Sequence, residues 1–119
     1  MPEQLPRVPK AFIRNSVEMS LREIAYAICN TLLGDEIEAW MLKEVVDNAF
    51  NFDIPLIQIG DGSAVLELFH GPTLAVKDIS SRFMAQLCMQ LSRKFGRNMQ
   101  MNVLMATNGN SGGAIADAI

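Results

Sequence analysis

Two runs of apolar residues at helical spacing lie between positions 20 and 50. Leu21, Ile24, Ala25, Ile28 and Leu32 form the first, and Ile37, Trp40, Met41, Val45 and Ala49 the second, with Phe50 near its end. Ser20-Leu21-Arg22-Glu23 has the serine and glutamate of a capping box, so the first helix starts there. Gly34 suits its end, and Asp35 reads as the cap of the second helix. Trp40 reads as a core side chain of that helix. Upstream, residues 1–15 hold three prolines and no period, which predicts extended chain or loop. Downstream the period changes. Segments 54–59 and 64–69 read as short strands, and Gly60-Asp61-Gly62-Ser63 between them has hairpin-turn chemistry. Gly71-Pro72 breaks the second strand. A long helix is predicted over about 78–95, with Gly96 as its stop. A buried-type strand follows at 102–106, then a glycine-rich loop at 107–113 and a further helix. Strand, helix, strand, loop, helix is the repeating unit of a parallel α/β sheet. The chain therefore divides into an extended segment with a helical pair (1–50) and part of an α/β domain (51–119).

Composition narrows the class. Half of the 119 residues are apolar and 19% are charged, which suits a folded globular segment. The net charge is −3 with no basic patch, which argues against a nucleic-acid partner. No apolar run reaches the ~18 residues of a membrane span, and no metal-ligand spacing is present. The N-terminus lacks the charged and apolar regions of a signal peptide. Cys29 and Cys88 both fall in helical patterns and read as reduced core residues, which points to the cytoplasm. The last residues read as the opening turns of a helix without a stop, so the chain is expected to be an internal piece of a larger protein.

One lysine is oddly placed. Lys77 follows the apolar run Leu74-Ala75-Val76 and precedes a helix start. The N-terminal end of a helix carries partial positive charge, which disfavours a cation there. Apolar neighbours would desolvate the amine and lower its pKa further. Such a lysine suits attack on a carbonyl, although a solvated lysine at a helix start remains an alternative. The loop 107–113, Thr107-Asn108-Gly109-Asn110-Ser111-Gly112-Gly113, brings hydroxyls, side-chain amides and backbone N–H groups to a helix N-terminus, the general recipe for an anion site.

The stretch His70-Gly71-Pro72-Thr73-Leu74-Ala75-Val76-Lys77-Asp78, followed by Arg82-Phe83-Met84, resembles the pyridoxal-phosphate lysine segment of the threonine synthase family. Val76 stands where that family usually has phenylalanine. Weaker resemblance extends to both ends of the chain, including Pro2-Glu3-Gln4-Leu5-Pro6. The loop at 107–113 resembles the same cofactor family's Thr-Ser-Gly-Asp/Asn-Thr-Gly loop, with Asn108 in place of serine and Ser111 in place of threonine.

The resemblance implies part of a tryptophan-synthase-β-like domain (fold type II of the pyridoxal-phosphate enzymes). It implies a lyase that converts O-phosphohomoserine and water to threonine and phosphate. Lys77 would hold pyridoxal 5'-phosphate as a Schiff base, Asn110 would contact the cofactor's ring hydroxyl, and Thr107, Asn108, Ser111 and Gly112 would bind the substrate α-carboxylate. Another enzyme of the same cofactor fold, such as a dehydratase or a cysteine synthase, is the nearest alternative. A non-catalytic fragment is the alternative from a different class. His70 could be a general base, a phosphate contact or, preferably, a supporting residue. Asp78 reads as the cap of the following helix, and Arg82 as either a phosphate contact or a solvated charge. Taken alone, this chain is expected to be inactive and prone to self-association through apolar surface such as Ile115 and Ile119.

Overall fold

The computed structural model describes residues 6–96 and 102–119. Its elements in order are α1 (Lys10–Asn15), a 3-10 turn (Ser16–Glu18), α2 (Leu21–Leu33), α3 (Ala39–Ala49), β1 (Leu56–Gly60), β2 (Ser63–Leu66), α4 (Lys77–Lys94) and α5 (Gly109–Ala118).

α2 begins where the capping box places it. The Glu23 N–H donates to Ser20 Oγ at 3.3 Å, and Ser20 N–H donates back to Glu23 Oε2 at 2.7 Å. These bonds satisfy two groups that a helix start otherwise leaves open. α3 differs from expectation. Asp35 is not its cap: Glu36 and Ile37 N–H both donate to Leu33 O, and the helix starts four residues later behind Glu38. Continuing the turn carries Ile37 into the core, where it is 7% exposed.

That core is built from α2, α3 and α4. Met41, Leu42, Val45, Val46 and Ala49 of α3 are buried, and Tyr26, Cys29, Leu33, Phe83, Leu87 and Leu91 pack around Ile37, Met41 and Leu42. Trp40 is 62% exposed, contrary to its reading as a core residue. On α3 the buried face runs through 41, 42, 45, 46 and 49, and Trp40 falls just outside that stripe. Upstream, residues 10–15 are helical where loop was expected. Pro9 precedes this short helix and its carbonyl accepts from Phe12 N–H at 3.0 Å. The Pro2-Glu3-Gln4-Leu5 part of the proline-rich pattern lies outside the described residues.

β1 and β2 form the expected antiparallel hairpin, in the register Leu56↔Leu66, Ile57↔Val65 and Gln58↔Ala64, with a bulge between Gln58 and Gly60. Gly62 in the turn has φ 73°, a value that favours glycine. Both strands are exposed along their whole length. The expected strand at 102–106 is not formed among the described residues, whose one sheet is the β1–β2 pair, so the βαβ unit is not closed within them. An extended segment becomes a strand only when a neighbour pairs with it, and Leu104 here is 98% exposed. The radius of gyration, 16.2 Å, exceeds the ~13.5 Å of a compact chain of this length.

Candidate active site

α4 starts at Lys77, one residue earlier than the sequence suggests, so the lysine is the first residue inside the helix. Its side chain is exposed, and among the described residues it makes no hydrogen bond or ion pair. The apolar run before it does not cover it: Leu74 is 72% and Val76 52% exposed. The expected desolvation of this amine is therefore not produced by these residues.

The loop leading into Lys77 is tightly held. Leu74 has φ 59°, a left-handed conformation uncommon for a residue with a Cβ. Its N–H donates to Gly71 O at 3.0 Å, and Asp78 N–H donates to Ala75 O at 3.0 Å. Asp78 is completely buried and does not cap α4. Its carboxylate reaches back, accepting from Thr73 N–H at 2.9 Å and from the Thr73 hydroxyl. Gly71 lies directly on that carboxylate, since a Cβ at Gly71 would sit 2.4 Å from Asp78 Oδ2.

His70 stacks on Phe69 with ring centroids 4.7 Å apart, and its Nε2 lies 2.6 Å from Glu67 Oε2. It borders a cleft of about 650 Å³ lined also by Ser20, Arg22, Phe50, Asp53 and Pro55. Neither Lys77 nor any residue of 107–113 lines this cleft. Arg82 is neither a free charge nor poised for an anion. Its guanidinium lies on the C-terminal end of α3, donating to Asn48 O and Ala49 O at 3.4 Å and to Asn51 Oδ1 at 3.1 Å, and it meets Asp117 of α5 at 3.6 Å. Arg22 Nε does the same for Phe50 O at 2.9 Å. Cations there complement the negative end of α3.

The expected glycine-rich loop is shorter than its sequence suggests. α5 starts at Gly109, so Asn110, Ser111 and Gly112 belong to its first turn. Asn108 is the N-cap, its Oδ1 accepting from Ser111 N–H at 3.4 Å, while Gly112 N–H donates to Asn108 O at 3.2 Å. Serine and asparagine are about equally good N-caps, so Asn108 serves this position well. The Thr107 hydroxyl donates to Asn108 O at 2.6 Å. Among the described residues the N–H groups of Gly109 and Asn110 have no hydrogen-bond partner, as is usual at a helix start, and the exposed Asn110 side chain has none either. α5 packs against α4, so the elements carrying Lys77 and Asn110 are neighbours, but no hydrogen bond joins Lys77 to residues 107–112.

A family model described as Threonine synthase N terminus matches residues 1–50. Threonine synthase of Buchnera aphidicola subsp. Baizongia pistaciae is 37% identical over 98% of this chain, and that of Escherichia coli K12 is 35% identical over 98%. The crystal structure of Escherichia coli threonine synthase aligns with a TM-score of 0.84 at 36% identity. The chain matches the N-terminal region of the threonine synthases. Its fold is that of these enzymes over this region: helices and a two-stranded antiparallel sheet. A structure of the Brucella melitensis enzyme with bound pyridoxal phosphate aligns over 99% of the chain with a TM-score of 0.86. The chain spans about a quarter of the length of the threonine synthases it matches, 26–27%.

Sequence reasoning overlooked the roles of Thr73 and Gly71. A signal was available: glycine and threonine five to seven residues before a first-turn aspartate allow the carboxylate to fold back on a tight loop. The role of Arg82 had no local signal, because its partners lie more than 30 residues away. Cys29 and Cys88 are free, and burial pushes the Cys29 thiol upward, away from the range of a reactive nucleophile. Among the described residues no group of three His, Cys, Asp or Glu side chains is arranged to hold a metal ion, and no helix is long and apolar enough to cross a membrane.

Proposed function

We propose that this chain is the lysine-bearing part of a pyridoxal-phosphate-dependent lyase, converting O-phosphohomoserine and water to threonine and phosphate in the cytoplasm. The observation that carries the reading is Lys77: an amine at the first position of α4 with no hydrogen bond or ion pair among the described residues, in a chain that aligns over almost all of its own length with about a quarter of the threonine synthase chain.

The donor set fits the cofactor. Lys77 would hold it covalently, and the free side chain of Asn110 at the head of α5 would meet its ring hydroxyl. When bound, pyridoxal phosphate supplies an electron sink for carbanion chemistry that side chains lack. The head of α5 would take the substrate α-carboxylate. Its open donors are the N–H groups of Gly109 and Asn110 and the Ser111 hydroxyl, aided by the positive end of the helix. Asn108 and Thr107 would shape this site, the first by capping α5 and the second by fixing the Asn108 carbonyl. Gly112 would lie beside Thr107 at this site, where a Cβ would meet the Thr107 methyl at 3.4 Å, an ordinary van der Waals contact. The Lys77 amine would move protons at the α and β carbons of the substrate. Residues 1–50 would frame this site, and 51–119 would carry it. Without the remaining chain, the exposed Ile57, Val65 and Leu104 favour self-association.

The test is reduction with borohydride in the presence of pyridoxal phosphate, using the complete polypeptide that contains this segment, followed by peptide mass spectrometry. The label is expected on Lys77, and Lys77→Ala should abolish it together with the cofactor's visible absorbance. A label on Lys10, Lys43 or Lys94 instead overturns the assignment.

A further inference from the structure

We propose that Thr73, Asp78 and Gly71 form a clamp that positions Lys77, making Thr73 and Asp78 positioning residues for the reaction; this rests on the reading of Lys77 as the cofactor lysine. Asp78 is adjacent to Lys77 yet behaves oppositely, being 0% exposed while the lysine is open. A first-turn aspartate with a purely local role would take the amides of its own helix. Asp78 instead binds the chain five residues earlier, taking both the N–H and the hydroxyl of Thr73. Gly71 closes the other side, because a Cβ there would lie 2.4 Å from Asp78 Oδ2 and 2.6 Å from Asp78 Cβ. Leu74 makes the turn between them at φ 59°.

The result is a closed ring of residues 71–78, with hydrogen bonds Leu74 to Gly71, Asp78 to Ala75 and Thr73 to Asp78. It encloses the Lys77 backbone. A lysine side chain has four rotatable methylenes, so the position of its amine depends on how firmly its Cα is held. The amine is exposed, and among the described residues no hydrogen bond or ion pair holds it, which leaves the backbone clamp to do so. Displacement of a reacting group by about 1 Å can cost on the order of 100-fold in rate.

The experiment compares Thr73→Val, Thr73→Ser and Asp78→Asn in the complete polypeptide. It measures kcat and KM for the phosphorylated substrate, the cofactor's visible spectrum, and the site of borohydride labelling. Thr73→Val keeps the shape and removes the hydroxyl. It is expected to lower kcat by about 10- to 100-fold with KM little changed, and to shift or weaken the visible band while circular dichroism stays native. Thr73→Ser should restore kcat to within about threefold, since it restores the donor. Should Thr73→Val fail to fold, Asp78→Asn tests the same clamp at constant volume, with lowered kcat and a displaced band expected. Wild-type kcat and spectrum in Thr73→Val and Asp78→Asn overturn the proposal, as does equal damage from Thr73→Val and Thr73→Ser. A wild-type label that falls elsewhere than Lys77 overturns the underlying reading, and the clamp's role with it, whatever the Thr73 variants do.

Discussion

Replacing Arg82 by glutamine should loosen the end of α3 rather than weaken the hold on a phosphate. The last turn of α3 leaves carbonyls without helical partners, and the Arg82 guanidinium covers those of Asn48 and Ala49 while holding the Asn51 amide. The side chain is 19% exposed, so the carbonyls it leaves would be only partly rehydrated. Removing a charged donor from such a site costs ~1.5–3 kcal/mol. The bonds of 3.4 Å are longer than the usual N–H···O hydrogen bond, which places the expected loss near the lower part, about 2 kcal/mol. The ion pair to Asp117 at 3.6 Å adds little, because it is partly exposed. A loss of about 2 kcal/mol is roughly a 30-fold rise in local opening. Hydrogen exchange at the amides of the last turn of α3 measures it directly. Arg82→Lys should recover only part of the protection, because an ammonium cannot span several oxygens as the planar fork does. Unchanged protection in Arg82→Gln, with a raised KM for the phosphorylated substrate, would refute the reasoning and restore the phosphate role.

Three further outcomes are expected. The Glu23 carboxyl is held below the ordinary carboxylate range, first by the Ser20 side chain and then by the Ser20 backbone. A lowered folded-state value means that its stabilising contribution is present above the unfolded value and is lost as pH falls through the folded one. Helicity of α2 should therefore drop on acidification below about pH 4, and Glu23→Gln should remove that dependence in a circular dichroism titration. Trp40→Ser should change stability by no more than about 0.5 kcal/mol, whereas Leu42→Ala, at 0% exposure, should cost ~2–5 kcal/mol in urea unfolding. Gly71→Ala should cost about 1–3 kcal/mol by overpacking against Asp78, read as a lowered melting temperature, and a stability equal to wild type would contradict the close approach.

Local rules determined much of this chain. Ser20 and Glu23 make their capping box within four residues, Asp61-Gly62 turns the hairpin, and Gly96 ends α4 at φ 61°, all from contacts near in sequence. The segment from His70 to Asp78 is contiguous as well, and its nine residues carry the resemblance from which the proposal for Lys77 starts. What local rules misjudged depends on distant partners. Trp40 satisfies the helical period, but only the packing of α2 and α4 against α3 decides which stripe of α3 is buried. Residues 102–106 have a strand's composition, yet pairing needs a neighbouring strand, which the described residues do not provide. Arg82 became a brace for α3 because folding brings Asn48, Ala49 and Asn51 to it across more than 30 residues. Asp78 looks like a helix cap by position, and only the left-handed turn at Leu74 brings Thr73 and Gly71 close enough to claim its carboxylate. The sequence alone determined which residue types stand at the heads of α4 and α5. Tertiary structure decided which of them are held and which are left free, because burial and hydrogen-bond partners are set by what the chain folds against.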